Sequence, residues 1–214
     1  GHGQRGALRR SCLRRRRTAH RLRERPCQTQ GRLLVVGYNR RVTLHRGNLY
    51  LVGLPGAGKS TLGRQVARRL AKRFVDCDHE LEARTGVPIP TIFEIEGEAA
   101  FREREVQTLV ELAEMENIVL STGGGVVLRA ENRERLKANG TVLYLHVDPA
   151  LLYERVKHAR HRPLLQIGDP RTRLDELYRQ RDALYREVAD HVVEAVRENV
   201  LRFVKSLDSD AQHA

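Results

Sequence analysis

Several residue types are scarce in this 214-residue chain, and each scarcity narrows what the protein can be. Tryptophan is absent and aromatic residues make up only 5%, so we expect an aliphatic core. The three cysteines are an odd number, and none stands in a metal-binding C-x-x-C spacing, so we expect a reducing, cytoplasmic setting. No run approaches the roughly 20 apolar residues that cross a bilayer, which argues against a membrane-spanning helix.

Positive charge is abundant, but it is confined to one end of the chain. The net charge is +12, yet residues 1–48 alone hold 14 arginines and a single acid, Glu24. The rest of the chain therefore holds 25 basic and 26 acidic residues and is nearly neutral. The overall basicity does not predict a nucleic-acid partner for this neutral body.

The Arg-rich segment at residues 1–47 has three open interpretations. Blocks of like charge are usually disordered, so a disordered extension is the leading expectation. A basic, acid-poor leader is also typical of an organelle-targeting peptide, although this one holds only one serine, Ser11. The arginines at 14–17 would bind RNA or acidic surfaces non-specifically and in a salt-dependent way. We expect the function to reside in a domain at residues 48–214.

The strongest chemical signal is a phosphate loop at residues 53–60. These read GLPGAGKS, which fits G-x-x-x-x-G-K-[ST], between an apolar run and an amphipathic helical pattern. Glycines let successive backbone N–H groups turn toward phosphate oxygens, and the helix N-terminus adds its positive dipole. We therefore predict a nucleoside triphosphate site. The residues expected to hold the nucleotide here are Gly56, Ala57, Gly58, Lys59, Ser60 and Thr61.

The phosphate loop alone leaves kinases, GTPases and motor ATPases open. Residues 49–214 are too few for the large insertions of motors, and the guanine-recognition pattern N-K-x-D is absent. A small kinase is therefore the leading interpretation.

Two aspartates follow the next apolar run, in the sequence RFVDCD at residues 73–78. We predict a strand that places Asp76 and Asp78 on one side, at the ligand edge of a parallel sheet. With Ser60, Asp76 is a candidate Mg²⁺ ligand, and Asp78 could accept a hydroxyl proton. Asp78 is also compatible with the N-cap of a following helix. Cys77 would face the other way, as a core residue rather than an oxidisable thiol.

Two further segments carry arginines. Residues 91–105 predict a helix that turns into a longer one, in which Arg102 alone would be a solvated partner of Glu98 or Glu105. We predict a basic, Pro-bounded loop at residues 158–170, which would suit a lid over phosphate, although an ordinary solvated loop is equally compatible.

Three consecutive glycines, Gly123, Gly124 and Gly125, follow an apolar strand pattern at residues 118–122. Such a run permits close approach of backbone to a ligand. We predict a tight turn that faces the site rather than a flexible loop.

In combination these motifs resemble the shikimate kinase family, over residues 48 to about 192. The phosphate loop is widespread, but the ordered set GLPGAGKST, DCD, GEAAFR, TGGG, RPLL and RDALYREVA is far more specific. The resemblance implies a three-layer α/β/α P-loop kinase with a five-stranded parallel sheet. It implies ATP-dependent phosphorylation of the 3-hydroxyl of shikimate, on the route to chorismate and aromatic amino acids. Mg²⁺ would be the cofactor, ATP the co-substrate, and the enzyme a monomer.

The resemblance also implies how the acceptor is bound. Asp78 matches the carboxylate that hydrogen-bonds shikimate hydroxyls and is the candidate base. Arg102 and Arg181 match the pair that grips the shikimate carboxylate, which reverses the solvated interpretation of Arg102. Gly124 matches the glycine whose N–H binds substrate.

Other matched residues complete the expected site. Phe93 and Phe101 match aromatic walls of the shikimate pocket. Arg162 matches a lid arginine beside the ATP phosphates, where with Lys59 it would balance charge on the γ-phosphoryl group. The short connection at residues 189–199 departs from the family, so we assign no residue to adenine.

Two competing functions remain at this stage. One is a kinase of the same fold group for another small acceptor, such as gluconate. The positions of Arg102, Gly124 and Arg181 favour shikimate over that acceptor. The other is an RNA-binding or regulatory ATP-binding protein, whose function would depend on residues 1–47.

Overall fold

The computed structural model describes residues 47–156 and 169–211, without the side chains at 156 and 207–211. Five strands form one sheet in the order β2-β3-β1-β4-β5, and every neighbouring pair is parallel. The strands are β1 (Leu49–Val52), β2 (Arg73–Asp76), β3 (Ile118–Ser121), β4 (Thr141–His146) and β5 (His191–Glu194). The expected five-stranded parallel sheet is confirmed. The central strands β1 and β3 are buried along their whole length, as in a parallel sheet covered on both faces.

Helices surround the sheet in two groups. In the described part of the chain they are α1 (Lys59–Arg69), α2 (Cys77–Thr85), α3 (Ile89–Ala113), α4 (Ala130–Asn139), α5 (Pro149–Val156), α6 (Pro170–Val188) and α7 (Arg197–Ala211). Helix α1 packs on β1 and β3 and against α7, whereas α4 and α6 pack on β4 and against each other. None of these helices combines the length and apolar composition needed to cross a membrane.

The junction of β2 and α2 differs from the prediction. The strand ends at Asp76 and helix α2 begins at Cys77, so the expectation of a strand through Asp78 is wrong. Asp76, not Asp78, is the N-cap, because its carboxylate accepts the N–H groups of Asp78 and His79 at 3.2 and 3.4 Å. Cys77 is buried as predicted, but it lies in the first turn of a helix.

Helix α3 consists of two helical segments that meet at Gly97, where φ is 80° and ψ is 175°. This confirms the prediction of one helix that turns into a longer one. Helix α6 begins at Pro170, and Asp169 caps it by accepting the Thr172 N–H at 2.9 Å. Asp169 and Pro170, the last two residues of the expected lid at 158–170, therefore belong to the start of α6, and residues 158–168 lie outside the described ranges.

The core is mainly aliphatic, as predicted, but three tyrosines, Tyr50, Tyr144 and Tyr185, are the largest of its fully buried side chains. A second, smaller cluster joins α2 to both segments of α3. Its buried members are Leu81, Ile92 and Phe101, with Val87, Ile89 and Phe93 packed against them. This small cluster forms one wall of the site described next.

Candidate active site

A cavity of about 570 Å³ lies where the carboxyl ends of the strands meet the phosphate loop. Residues 123–125, the start of α2, both segments of α3 and one side chain of α6 complete its walls. Most of the site residues predicted from sequence line it. They are Gly56, Gly58, Lys59, Ser60, Thr61, Asp78, Phe93, Phe101, Arg102, Gly124 and Arg181.

Two predicted residues lie outside the cavity lining, and a third is not among the described residues. Ala57 is fully buried outside the cavity lining, and its N–H donates to the Leu54 carbonyl at 3.1 Å. Asp76 is also absent from the lining but contacts Ser60, which belongs to it. Arg162 lies outside the described residues.

The phosphate loop wraps around the ammonium group of Lys59. This Nζ donates to the carbonyls of Gly53 and Leu54 at 2.8 and 3.1 Å, and the residue is only 8% exposed. Gly58, with φ of 89°, adopts the left-handed conformation directly before α1 begins at Lys59. The helix N-terminus and the buried ammonium thus bring positive charge to the same end of the cavity.

Hard oxygen donors stand next to this loop. The Ser60 Oγ donates to Asp76 Oδ2 at 2.6 Å and lies 3.3 Å from Ser121 Oγ. Among the described residues, no three His, Cys, Asp or Glu side chains converge in a metal-binding group. A hydroxyl and one carboxylate fit Mg²⁺, which keeps several waters and takes much of its coordination from substrate phosphates.

Asp78 lies in the first turn of α2 and faces the cavity. Burial, and next the charge of Asp76, raise its pKa from 3.8 to about 6, although Lys59 opposes the shift. This pKa places the carboxyl near the range in which general bases work at neutral pH. A carboxylate here can accept a proton from a hydroxyl held in the cavity.

Arg102 is 6% exposed, so the interpretation of this residue as solvated is wrong. Its Nη1 donates to Glu105 Oε2 at 2.8 Å and its Nη2 to Glu98 Oε1 at 2.9 Å. The predicted partners on its own helix are therefore correct. Glu105 is itself buried and lines the cavity, so Arg102 is fixed by a buried ion pair.

Arg181 reaches the same cavity from α6 and is 3% exposed. Its Nη1 donates to the Gly124 carbonyl at 3.1 Å, but its buried Nε has no hydrogen-bond partner. Within the described part of the chain, no carboxylate lies within 4.0 Å of this guanidinium. Burial lowers its pKa, and the charge of Arg102 adds to the effect. An anion bound between the two arginines would satisfy the unpartnered donor.

The three glycines are required by what packs against them. A β-carbon at Gly123 would lie 2.5 Å from Glu105 Oε1 and 2.9 Å from Asp78 Oδ1, and one at Gly125 would overlap the Arg102 guanidinium. The predicted tight turn is thus the surface on which the charged side chains rest. The close approach predicted for a ligand is made here by the protein's own carboxylates and guanidinium.

The sequence interpretation did not assign three residues at the site. Glu105 was named only as a partner of Arg102, and the signal for it was its i+3 spacing. Glu82 lines the cavity and accepts the Ile89 N–H at 2.8 Å, which ties α2 to the start of α3. Tyr185, within the motif RDALYREVA, donates its hydroxyl to the Gly124 carbonyl.

Known proteins are similar to this chain in sequence and in fold. The family model for shikimate kinase matches residues 55–210. The chain is 63% identical over 150 residues to a shikimate kinase of Dechloromonas aromatica, covering 70% of this chain and 82% of that protein. It is 56% identical over 163 residues to a shikimate kinase of Aromatoleum aromaticum, covering 76% and 93%.

A solved structure shows the same fold. It is that of the shikimate kinase from Acinetobacter baumannii in complex with shikimate, which is 45% identical with a TM-score of 0.73. The match covers 78% of this chain and 95% of that one. With a family match across most of the body and relatives above 50% identity, the chain belongs to the shikimate kinase family.

Proposed function

We propose that this protein transfers the γ-phosphoryl group of ATP to the 3-hydroxyl of shikimate, giving shikimate 3-phosphate and ADP. The observation that carries the proposal is the joint position of Asp78, Arg102 and Arg181 in one cavity that opens onto the phosphate loop. A hydroxy acid needs a group for its acid, a group for its hydroxyl and a nearby phosphate donor, and this cavity offers all three.

The two arginines anchor the carboxylate of the substrate. Both guanidiniums are buried, and Arg181 retains an unpartnered buried donor. Guanidinium groups bind carboxylates through parallel charge-assisted hydrogen bonds, which fix orientation as well as position. The cavity should therefore favour a hydroxy acid over a neutral polyol. The rings of Phe93 and Phe101, tilted by 36° with centroids 4.6 Å apart, form its apolar side.

Asp78 accepts the proton of the 3-hydroxyl as that oxygen bonds to the γ-phosphorus. The bond between the γ-phosphorus and the β–γ bridging oxygen breaks, and ADP leaves with the electron pair. Most of the catalysis comes from holding the two reactants in line and from balancing charge, since phosphoryl transfer needs little covalent participation by the protein.

The backbone of the phosphate loop and Lys59 hold the ATP phosphates in this proposal. Of the loop residues predicted to bind nucleotide, Gly56, Gly58, Ser60 and Thr61 line the cavity, whereas the N–H of Ala57 is already engaged. Ser60, and Asp76 through water, would hold Mg²⁺. When bound, the ion neutralises charge on the β- and γ-phosphates.

Further expectations belong to the same proposal. Gly124 would offer its N–H to the substrate, and Arg162 would close over the phosphates from the lid. The enzyme would act as a monomer in a cytoplasmic setting, and its body at residues 48–214 would bind no specific nucleic acid. Residues 1–46, which belong to the expected Arg-rich extension, lie outside the described residues.

The test is ADP release by the full chain with ATP and Mg²⁺, in the presence of shikimate, gluconate or no acceptor. We expect strong stimulation by shikimate alone. Replacing both Arg102 and Arg181 by alanine should abolish shikimate turnover and leave ATP binding nearly intact. Equal stimulation by gluconate, or better survival of turnover with an acceptor that has no carboxylate in the double variant, would refute the assignment of the acceptor.

A further inference from the structure

We infer that Tyr185 is a positioning residue for the acceptor: its hydroxyl holds the Gly124 carbonyl and thereby keeps Arg181 oriented toward the substrate carboxylate. The inference rests on the proposed function, since it concerns how the same cavity receives its acid. No role follows for Tyr185 from its burial alone, because a buried tyrosine is most often a packing residue.

The geometry that supports this role is a shared acceptor. Arg181 and Tyr185 are one helical turn apart on α6, and both donate to the Gly124 carbonyl, Arg181 at 3.1 Å. A carbonyl oxygen has two lone pairs, so these two donors complete its capacity. The Gly124 peptide is thus fixed by a neutral donor and a charged donor from the same helix.

The hydroxyl of Tyr185 is itself held in place. The residue is fully buried, and its ring stacks on Tyr144 with centroids 5.0 Å apart and an angle of 29°. Burial raises the pKa of the hydroxyl, so it remains a protonated donor at every working pH. The donor that meets Gly124 therefore cannot swing away or lose its proton.

Arg181 needs this support more than Arg102 does. Arg102 is held by two carboxylates, Glu98 and Glu105. The guanidinium of Arg181 donates instead to the Gly124 carbonyl and interacts with the Tyr185 hydroxyl itself. Gly124 lies among three glycines, the residues with the most permissive backbone. If that carbonyl moves, Arg181 loses its fixed acceptor. The substrate carboxylate must then order the Arg181 side chain on binding, which weakens binding.

The experiment compares Tyr185→Phe with the matched control Tyr144→Phe in the full chain. Each variant removes one hydroxyl from one of two stacked, buried rings. The Tyr144 hydroxyl, however, donates to Asp182 at 2.9 Å rather than to the site. In Tyr185→Phe the Gly124 carbonyl keeps Arg181 as a donor, so no buried acceptor is orphaned and the fold should persist.

We expect Tyr185→Phe to raise KM for shikimate roughly fivefold to tenfold, as for the loss of one buried hydrogen bond, with KM for ATP unchanged. Tyr144→Phe should leave both KM values within about twofold, a difference too small for the loss of a hydrogen bond at the site. A thermal melt of each variant checks that both are folded.

A second readout separates positioning from general disturbance. Methyl shikimate lacks the anionic carboxylate, so its inhibition constant as a competitor should be the same in wild type and Tyr185→Phe. Equal KM values for shikimate in Tyr185→Phe and wild type, or an equal loss for shikimate and its methyl ester, would overturn the inference. If wild type shows no shikimate-dependent ADP release, the proposed function itself fails, which is a distinct outcome.

Discussion

Asp78 shares its surroundings with three other carboxylates, Asp76, Glu105 and Glu82, and with the ammonium of Lys59. Burial and the charge of Asp76 raise the pKa of Asp78 above its ordinary value, to about 6. The native state therefore binds a proton at this site more tightly than the unfolded chain does. As pH rises from about 4 to above 6, the native state must hold a buried charge, and this group lowers the free energy of unfolding.

This linkage predicts opposite effects of Asp78→Asn on stability and activity. At pH 8 the variant should unfold with a free energy about 3 kcal/mol higher than wild type, and near pH 4 most of this difference should disappear. Shikimate turnover should fall about 10³-fold, as for the loss of a general base. Urea denaturation at the two pH values checks the first part and ADP release the second.

The control for this residue is Glu80→Gln, on the same helix but outside the cavity lining. It should change neither the activity nor the pH dependence of stability by a comparable amount. A stabilisation by Asp78→Asn that is the same at both pH values would contradict the titration account, because removal of a charge acts only where the wild-type group is ionised.

At the scale of elements, the junction of β2 and α2 depends on Asp76. One carboxylate oxygen accepts the N–H groups that begin α2, and the other accepts the Ser60 hydroxyl of α1. A strand end, a helix start and the phosphate loop thus meet at a single side chain. Loss of the Asp76 side chain therefore removes the N-cap of α2 and a candidate Mg²⁺ ligand at the same time.

Two substitutions at this position separate those contributions. Asp76→Asn and Asp76→Ala both remove the charge, but asparagine remains a good N-cap and alanine does not. We therefore expect the alanine variant to be less stable by about 1 kcal/mol. Both variants should need about tenfold more Mg²⁺ for half-maximal ADP release, as a Mg²⁺ titration would show. Equal free energies of unfolding for the two variants would show that the N-cap of α2 is not how Asp76 contributes to stability.

Elements whose signals are local were predicted well. The phosphate loop and the helix after it occupy adjacent residues, and their glycine, lysine and apolar spacing is complete within residues 53–70. Helix α4 was not predicted, because its buried residues are only Asn132 and Leu136, too few for an apolar stripe. The end of β2 was misplaced because Asp76 and Asp78 are both plausible caps, and only the folded backbone decides between them.

Site features that depend on distant partners could not be predicted from spacing alone. The burial of Arg102 requires Gly125, more than 20 residues away, to lack a β-carbon. The role inferred for Tyr185 requires the Gly124 carbonyl to face α6. Arg102, Arg181 and Gly124 were placed in the site through family resemblance, and the structure brings them to the same cavity.

At the scale of the whole molecule, removal of residues 1–46 should leave catalysis intact. The family match begins at residue 55, and Gly47 is worth retaining because its carbonyl accepts a hydrogen bond from Lys72. We expect kcat/KM for shikimate within about twofold of the full chain at both low and moderate salt, since the body is nearly neutral. Steady-state kinetics of the two forms at 50 and 200 mM salt, concentrations between which nucleic-acid binding weakens strongly, would check this.

A steep loss of activity on truncation would instead favour a function located in residues 1–47. Salt-dependent RNA binding that disappears with the same truncation would support the RNA-binding alternative. If the kinetics are unchanged and the full chain binds RNA, then phosphoryl transfer belongs to the body and RNA binding belongs to the Arg-rich segment.

The order of the strands has a consequence for how the chain is made. Of the described strands, β1 emerges first but lies at the centre of the sheet, where Leu49 pairs with Val119 and Thr141. About 70 further residues must leave the ribosome before its first neighbour exists, which at usual synthesis rates takes on the order of ten seconds. During that interval an apolar strand has neither of its neighbours. Aggregation during expression should therefore depend on the speed of translation across this stretch more than on the stability of the finished enzyme.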